Sequence, residues 1–371
     1  MNLFIDGLIF AKQNAGGISR MWFELLKRLP HDDVDISLFI PLFHNNVWLK
    51  NILREKVEIK RKSDLFFWPE SVFQRNAVRS LTLPFRMGHS IDIFHSTFFS
   101  TVYKKSVKKI VTVHDMIPEK FPGFVRKSWQ KMERAKKKAA LQNADMIITV
   151  SQNTKKDLIT IYPWISEKKI RVIYHGPFHV ENKISLDNIA KKYSLNLVPQ
   201  DYFLYVGRRK NYKNFQILIS LVENKARYQD TVFCCVGGGG SDQPYETLAA
   251  KGLDRNFQFV PSVSDDELAS LYRNARALLF PSMYEGFGLP VLEALAHECP
   301  VICGHVSSLP EIAKDAAFYF DPSSMESLDE AIERLSSADR DEVVNAGKQA
   351  VSNFSWEKAA REIKDVYLSL L

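Results

Sequence analysis

A chain of 371 residues is longer than one hydrophobic core usually organises, about 250–300 residues, so two domains are expected. Hydrophobic residues make up 46% and aromatics 12%, enough to fill ordinary cores, and intrinsic disorder is excluded. The net charge of +7 is uneven: residues 1–178 hold 30 Lys+Arg and 16 Asp+Glu (+14), and the remainder holds 20 and 27 (−7).

In chain order, apolar strand-like runs alternate with helical patterns. The first set is Asn2–Asp6, Asp35–Ile40, Ile91–His95, Lys109–His114, Met146–Val150 and Ile170–Tyr174. The second is Tyr202–Val206, Thr231–Val236, Phe257–Val260, Ala277–Phe280, Val301–Cys303 and Ala317–Phe320. Continuous apolar runs belong to parallel sheets covered on both faces, and alternating β and α elements predict doubly wound α/β layers. Two sets of six strands therefore predict two Rossmann-like domains. Residues 179–200 are polar and weakly patterned and read as a linker with a short helix. The segment Ser355–Leu371 reads as an amphipathic helix capped by Ser355.

The basic first half suits nucleic acid, an anionic membrane or a phosphate-bearing substrate. Its clusters are Lys104-Lys105 with Lys108-Lys109, and the run from Arg126 to Lys138. That run predicts a helix with Lys127, Lys131, Arg134 and Lys138 on one face; a solvated surface is the plainer reading of any one cluster. The four cysteines, Cys234, Cys235, Cys299 and Cys303, have no metal-ligand spacing and fit a reduced, cytoplasmic compartment. The start, Met1 to Asp6, lacks the basic stretch and cleavage site of a signal peptide, and no apolar run reaches the ~18 residues of a membrane span.

Several segments could carry chemistry. Gly16-Gly17 follows the first strand and precedes a helical pattern, which suits close backbone approach to a ligand or a plain loop. His114-Asp115 ends a strand. Gly207-Arg208-Arg209-Lys210-Asn211-Tyr212-Lys213 sets four cations after a strand and a glycine. Gly237 to Gly240 suits a phosphate cradle or a flexible turn. Ser264 and Glu267 predict a capping box. The densest segment is PSMYEGFGLPVLE, residues 281–293. Its glycines expose backbone N–H groups, Pro290 suits a first helical turn, and a helix N-terminus binds anions. Glu285 and Glu293 flank that site as hydroxyl acceptors. The arrangement fits a sugar nucleotide; a tight turn before an ordinary helix is the alternative.

Glu285-Gly286-Phe287-Gly288-Leu289-Pro290-x-x-Glu293, preceded by Pro281-Ser282, resembles the signature of the family 4 glycosyltransferases, and the resemblance extends along nearly the whole chain. It implies a GT-B fold, α/β, with two Rossmann-like doubly wound parallel-sheet domains facing a cleft. Residues 1–178 would bind acceptor, 201–354 would bind the nucleotide sugar, and 355–371 would cross back to the first domain. It implies a retaining hexosyltransferase in which Arg208 and Lys213 grip the diphosphate, although Lys210-Asn211 offers a second similar pair. Arg209 and Lys210 are then expected to be solvated. His114 would touch the donor sugar, and Gly16 and Gly17 would lie against sugar and acceptor. Glu285 and the backbone of Gly286, Phe287, Gly288 and Leu289 would hold the sugar hydroxyls. Glu293 would hold the ribose, and Gly207, Val260 and Pro261 would border the nucleotide.

Two cations on the leaving diphosphate can replace a metal, no Asp-x-Asp pair lies near these motifs, and no cofactor or metal is expected. The His114-to-Pro122 segment and the Leu309-Pro310-Glu311-Ile312 ending resemble bacterial mannosyl- and rhamnosyltransferases of O-antigen and other surface polysaccharides. GDP-mannose or another GDP-hexose is the first choice of donor, with UDP sugars the alternative. A glycan or polyprenyl-diphosphate-linked acceptor, and peripheral contact of the basic domain with an anionic membrane on the cytoplasmic side, are expected. A dinucleotide oxidoreductase is disfavoured because no G-x-G-x-x-G follows a strand. A non-catalytic sugar-nucleotide or nucleic-acid binding module is disfavoured because the site residues are complete and no aromatics interleave with the basic runs.

Overall fold

The structure is a computed structural model. It describes the chain apart from residues 30–33, 42–45, 55–65, 69–90, 124–126, 179, 181–183, 210 and 239–243. The described residues fall into two compact units, Met1–Gly176 with Ser355–Leu371, and Pro177–Phe354.

The first unit is built on a parallel sheet of β1 (Asn2–Ile5), β2 (Asp35–Pro41), β3 (Phe66–Trp68), β4 (Ile93–Ser96), β5 (Lys108–Val113), β6 (Met146–Thr149) and β7 (Ile170–Val172). The order is β3-β2-β1-β4-β5-β6-β7. The sheet has seven strands rather than the expected six: Phe66–Trp68 pairs in parallel with β2. The apolar run Leu65 to Trp68 is only four residues, closed by Pro69 and set beside a polar stretch, too short to stand out as a strand. The strand order reverses between β1 and β4, and ligands of open α/β sheets bind beyond the strand C-termini at such a point.

The helix Trp356–Leu368 belongs to this unit. Ser355 caps it, its hydroxyl accepting from the Lys358 amide at 3.0 Å. Its inner face buries Trp356, Ile363 and Tyr367. Tyr367 Oη lies 2.8 Å from His95 Nδ1 on β4, Trp356 stacks on His175 with centroids 5.4 Å apart, and Glu357 pairs with Arg28 at 2.6 Å. A β-carbon on Gly176 would overlap the backbone nitrogen of Trp356, so the glycine is required where the two stretches of the unit meet.

The second unit holds β8 (Tyr202–Val206), β9 (Val232–Val236), β10 (Phe257–Val260), β11 (Ala277–Phe280), β12 (Val301–Gly304) and β13 (Ala317–Phe320). All are parallel, in the order β10-β9-β8-β11-β12-β13, and the switch point lies between β8 and β11. Alternate residues feed two cores. Tyr202, Leu204, Cys234, Val260 and Leu278 face one side; Phe203, Tyr205, Cys235, Phe257 and Leu279 face the other. Cys234 and Cys235 are thus both buried, on opposite faces, and burial pushes the Cys234 thiol up to about 12.

Residues 179–200 do more than connect. The helix Leu186–Tyr193, capped by Ser185, buries Leu186 and Ile189 in the second unit's core. Its Lys192 and Tyr193 reach Glu267 at 2.6 and 3.2 Å. Glu267 also completes the expected capping box with Ser264.

The basic helix Lys127–Asn143 keeps part of the expected cationic face, Lys131 and Lys138, but not Arg134; the Lys127 side chain lies outside the described residues. Arg134 turns inward and donates to the carbonyls of Pro118 and Glu119 at 2.8 and 2.6 Å. Lys131 and Lys138 are exposed, Arg126 lies outside the described residues, and Lys137 is fully buried against Glu119 at 2.8 Å. Lys104, Lys105 and Lys108 are exposed, and Lys109 is half-buried. Among the described residues, no helix is long and apolar enough to cross a membrane.

Candidate functional site

At the second unit's switch point, β8 runs out through Gly207, whose φ of +143° suits glycine, into the exposed Arg208 and on to the short turn Asn211–Lys213. From β11 the chain passes through Ser282 and Tyr284 to Glu285. The two arms meet in an ion pair, Lys213 Nζ to Glu285 Oε1 at 2.6 Å, with the side chains 17% and 12% exposed. Lys213 Nζ also lies 5.3 and 5.2 Å from the Tyr212 and Phe280 ring centres. An amine held between two aromatic faces and a carboxylate is fixed in position before any ligand arrives.

The loop after Glu285 is pinned from β12's side. The Glu285 amide donates to Ser307 Oγ at 2.9 Å, and the Ser308 hydroxyl lies 3.1 and 2.7 Å from the carbonyls of Glu285 and Phe287. Gly288, at φ +112°, starts the helix Leu289–Ala296, with Pro290 in its first turn. A β-carbon there would sit 2.8 Å from Leu309 Cδ2. Glu293, one turn in, is buried, and its Oε2 accepts from Tyr272 Oη at 3.2 Å. His297 closes the helix by donating its backbone amide to the Glu293 carbonyl at 3.1 Å. Phe287 is buried against Phe354, centroids 6.1 Å apart. The structure thus brings Arg208, Lys213, Glu285, Gly286, Phe287, Gly288, Leu289 and Glu293 to one edge of one sheet.

Along the same edge, the Gly207 amide donates to Val236 O and the Gly237 amide to Val260 O, both at 2.9 Å. A β-carbon on Gly237 would come 3.5 Å from Gly207 O, so the two backbones pass closely. Val260 is a core residue whose carbonyl already accepts from Gly237, whereas Pro261 is exposed. Gly237 and Gly238 have positive φ; the rest of the glycine run and Lys210 lie outside the described residues. Arg209 corrects the sequence reading. Its side chain is not solvated but 6% exposed, because it folds back over the Phe259 ring at 4.8 Å.

In the first unit, Gly16 caps the helix Gly17–Arg28 in extended conformation. Gln13 Oε1 takes the Ser19 amide at 3.1 Å, and the Ser19 hydroxyl donates to Gly16 O at 3.0 Å. His114 follows β5 and is buried, with Nε2 lacking a partner among the described residues. Burial, with Lys137 nearby and despite a hydrogen bond to the Thr97 backbone, depresses its pKa to about 3. It is therefore a neutral imidazole near neutral pH, suited to hydrogen bonding and too weak a base to carry protons. His95 and His175, equally buried, are depressed to about 3 in the same way.

Sequence reasoning missed Asp6 at the end of β1. Its carboxylate, buried and raised in pKa by that burial, accepts from Thr97, Ser96 and Ser100. It ties β1 to β4 at the first unit's switch point. An isolated Asp after an apolar run carries no spacing signal, and neither did Tyr272 or Ser307.

Among the described residues, no three His, Cys, Asp or Glu side chains are grouped to hold a metal ion.

Residues 188–353 match the model described as "Glycosyl transferases group 1", and residues 15–176 match that described as "Glycosyltransferase Family 4". The chain is 26% identical over 283 residues to O-antigen chain mannosyltransferase B of Escherichia coli, 74% of each chain. It is 31% identical over 229 residues to O-antigen chain mannosyltransferase RfbU of Salmonella typhimurium, 61% of this chain and 60% of that one. Among solved structures, HepE from Anabaena in complex with UDP and glucose superposes with a TM-score of 0.72 at 17% identity, covering 100% of this chain and 99% of that one. The lipopolysaccharide glycosyltransferase WaaG gives 0.66 at 14% identity, covering 99% of both. These likenesses show the GT-B fold. Two family models that meet near the break between the units, on a chain whose Lys213–Glu285 pair and glycine-started helix share one sheet edge, place it in the family 4 glycosyltransferases.

Proposed function

We propose that the chain is a retaining, metal-independent hexosyltransferase of surface polysaccharide synthesis. The donor of first choice is GDP-mannose, with GDP-rhamnose next. The acceptor is a glycan or a polyprenyl-diphosphate-linked glycan. The observation that carries this reading is the Lys213–Glu285 ion pair at the switch point, beside the N-terminus of Leu289–Ala296. A cation and a helix start suit a diphosphate, and a carboxylate fixed beside them suits sugar hydroxyls. The two O-antigen mannosyltransferase relatives support the choice of sugar.

In this mechanism Arg208, Lys213 and the amides at Leu289 hold the diphosphate, and Glu293 holds the ribose. Glu285 and the backbone of Gly286 to Leu289 orient the hexose. The acceptor oxygen forms its bond to the anomeric carbon on the face from which the phosphate departs. The bond from that carbon to the phosphate oxygen breaks, and the acceptor proton passes to the leaving oxygen. His114 donates to or accepts from a sugar hydroxyl as a neutral ring, consistent with its depressed pKa. The two cations supply the charge stabilisation that a metal would otherwise give. The basic first unit seats the enzyme on the anionic inner face of the cytoplasmic membrane through Lys104, Lys105 and Lys108.

The test is a thermal-shift panel of GDP, UDP, dTDP and ADP with and without EDTA, since a ligand of the native state alone raises the melting temperature. A selective GDP shift that survives EDTA is expected. A selective UDP shift overturns the GDP-hexose choice, an EDTA-sensitive shift overturns metal independence, and no shift overturns the donor site.

A further inference from the structure

Arg209 has no role in the scheme above, yet it is the most anomalous side chain in the second unit. A guanidinium remains charged at any physiological pH, and a buried charge without a partner is among the costliest features a fold can carry. Nε, Nη1 and Nη2 of Arg209 are all buried, and none has a hydrogen-bond partner among the described residues. No ion pair to it occurs among them either. The Phe259 ring face, 4.8 Å away, offsets only a small part of that cost.

Its position gives the isolation a meaning. Arg209 leaves β8 two residues after Gly207, on the edge that carries Lys213 and Glu285. The Tyr205 hydroxyl, which donates to the Arg208 carbonyl, marks the common ground. Burial raises the Tyr205 pKa, Arg209 opposes that shift and Glu285 reinforces it, so both charges act on one hydroxyl. Cys235 stands in register with both Tyr205 and Phe259, so the ring beneath the fork and that hydroxyl share one row of the sheet, one residue short of the strand ends. Five N–H donors in a planar fork match the non-bridging oxygens of a phosphate two at a time.

We propose that Arg209 is a further binding residue for the donor's diphosphate, a fork held without a partner in the ligand-free protein and satisfied by phosphate oxygens when the nucleotide sugar binds. This rests on the donor-site reading given above. It makes an unusual demand on the free enzyme: the residue costs stability until ligand arrives, so its removal separates stability from binding.

The experiment compares wild type with Arg209→Met by calorimetric titration of GDP, UDP, inorganic pyrophosphate and guanosine, alongside thermal melts without ligand. Loss of a charge-assisted bidentate contact predicts about ten- to a hundredfold weaker binding of GDP, UDP and pyrophosphate alike, with guanosine unaffected. The ligand-free variant is expected to melt at the same temperature as wild type or higher. Unchanged diphosphate binding overturns the assignment. A loss confined to GDP and guanosine makes Arg209 a base contact and also overturns it. A lower melting temperature of the free variant makes the side chain a structural support and overturns it as well. Wild type that binds no nucleoside diphosphate removes the donor reading itself, an outcome distinct from a variant that binds as wild type does.

Discussion

Replacing Lys213 by Met tests the pair on which the site is built. Lys213 Nζ and Glu285 Oε1 are 2.6 Å apart with both side chains mostly shielded from solvent. Removing one partner of a fully buried pair costs about 3–5 kcal/mol, chiefly because the other charge is stranded. Here the residual exposure lets water reach Glu285, so the expected loss is lower, about 1.5–3 kcal/mol, the range of a charged hydrogen bond. In a unit of this size each kcal/mol moves the melting temperature by about 2–4 °C, and Lys213→Met should melt about 3–12 °C below wild type. Glu285→Gln alone strands the ammonium instead and should fall within the same range. The double variant strands neither charge, so it should recover much of the loss, a coupling that a double-mutant cycle measures. Calorimetric or optical melts of the four proteins decide the matter. Strict additivity of the two single losses would refute the claim that the pair is a unit prepared before ligand binds.

Other expectations follow from single positions. Gly288→Ala puts a β-carbon 2.8 Å from Leu309 Cδ2 at a φ of +112°; it should cost about 1–3 kcal/mol and weaken nucleoside diphosphate binding, and a wild-type melt would remove the steric argument. Glu285→Ala should abolish transfer while the protein still folds by circular dichroism, and near-normal turnover sinks its role at the donor. For His95, His114 and His175 the folded pKa lies below the ordinary value of 6.5, at about 3. The unfolded chain therefore binds more protons between those limits, and stability is full above pH 6.5 and falls as the pH drops toward 3. Melts from pH 8 to 5 should show the decline, and a flat profile contradicts three buried neutral rings. Reversing Lys104, Lys105 and Lys108 to Glu should reduce sedimentation with anionic vesicles, as should raised salt; retention in both cases removes electrostatics from membrane seating.

Most strands were legible because a buried parallel strand is a run of apolar residues bounded by polar ones. Tyr202–Val206, Phe257–Val260, Ala277–Phe280 and Ala317–Phe320 match residue for residue. Caps were legible for a similar reason: Ser264, Glu267 and Ser355 act within one turn of chain, where spacing alone decides the hydrogen bond. Phe66–Trp68 escaped because three residues carry no period. Lys213 meeting Glu285 was legible as two motifs but not as an ion pair, since contact across 72 positions depends on strand order. Arg209 and Arg134 were misjudged for one reason. A basic residue in a basic run reads as solvated, and only the tertiary structure tells which arginine folds back onto an aromatic ring or a row of carbonyls.

The division of the first unit into Met1–Gly176 and Ser355–Leu371 sets an order on synthesis. When Gly176 has left the ribosome, β1 to β7 are all available, but His95 and His175 still lack the Tyr367 and Trp356 rings that complete their environment. The second unit, an uninterrupted stretch, is translated whole before those surfaces exist. The nascent first unit must therefore wait with an apolar groove uncovered while its neighbour folds. A stop codon between Phe354 and Trp356 would release a protein with every proposed diphosphate ligand in place and a first unit left permanently unfinished. Such a truncation would separate the ability to hold a nucleotide from the ability to use it.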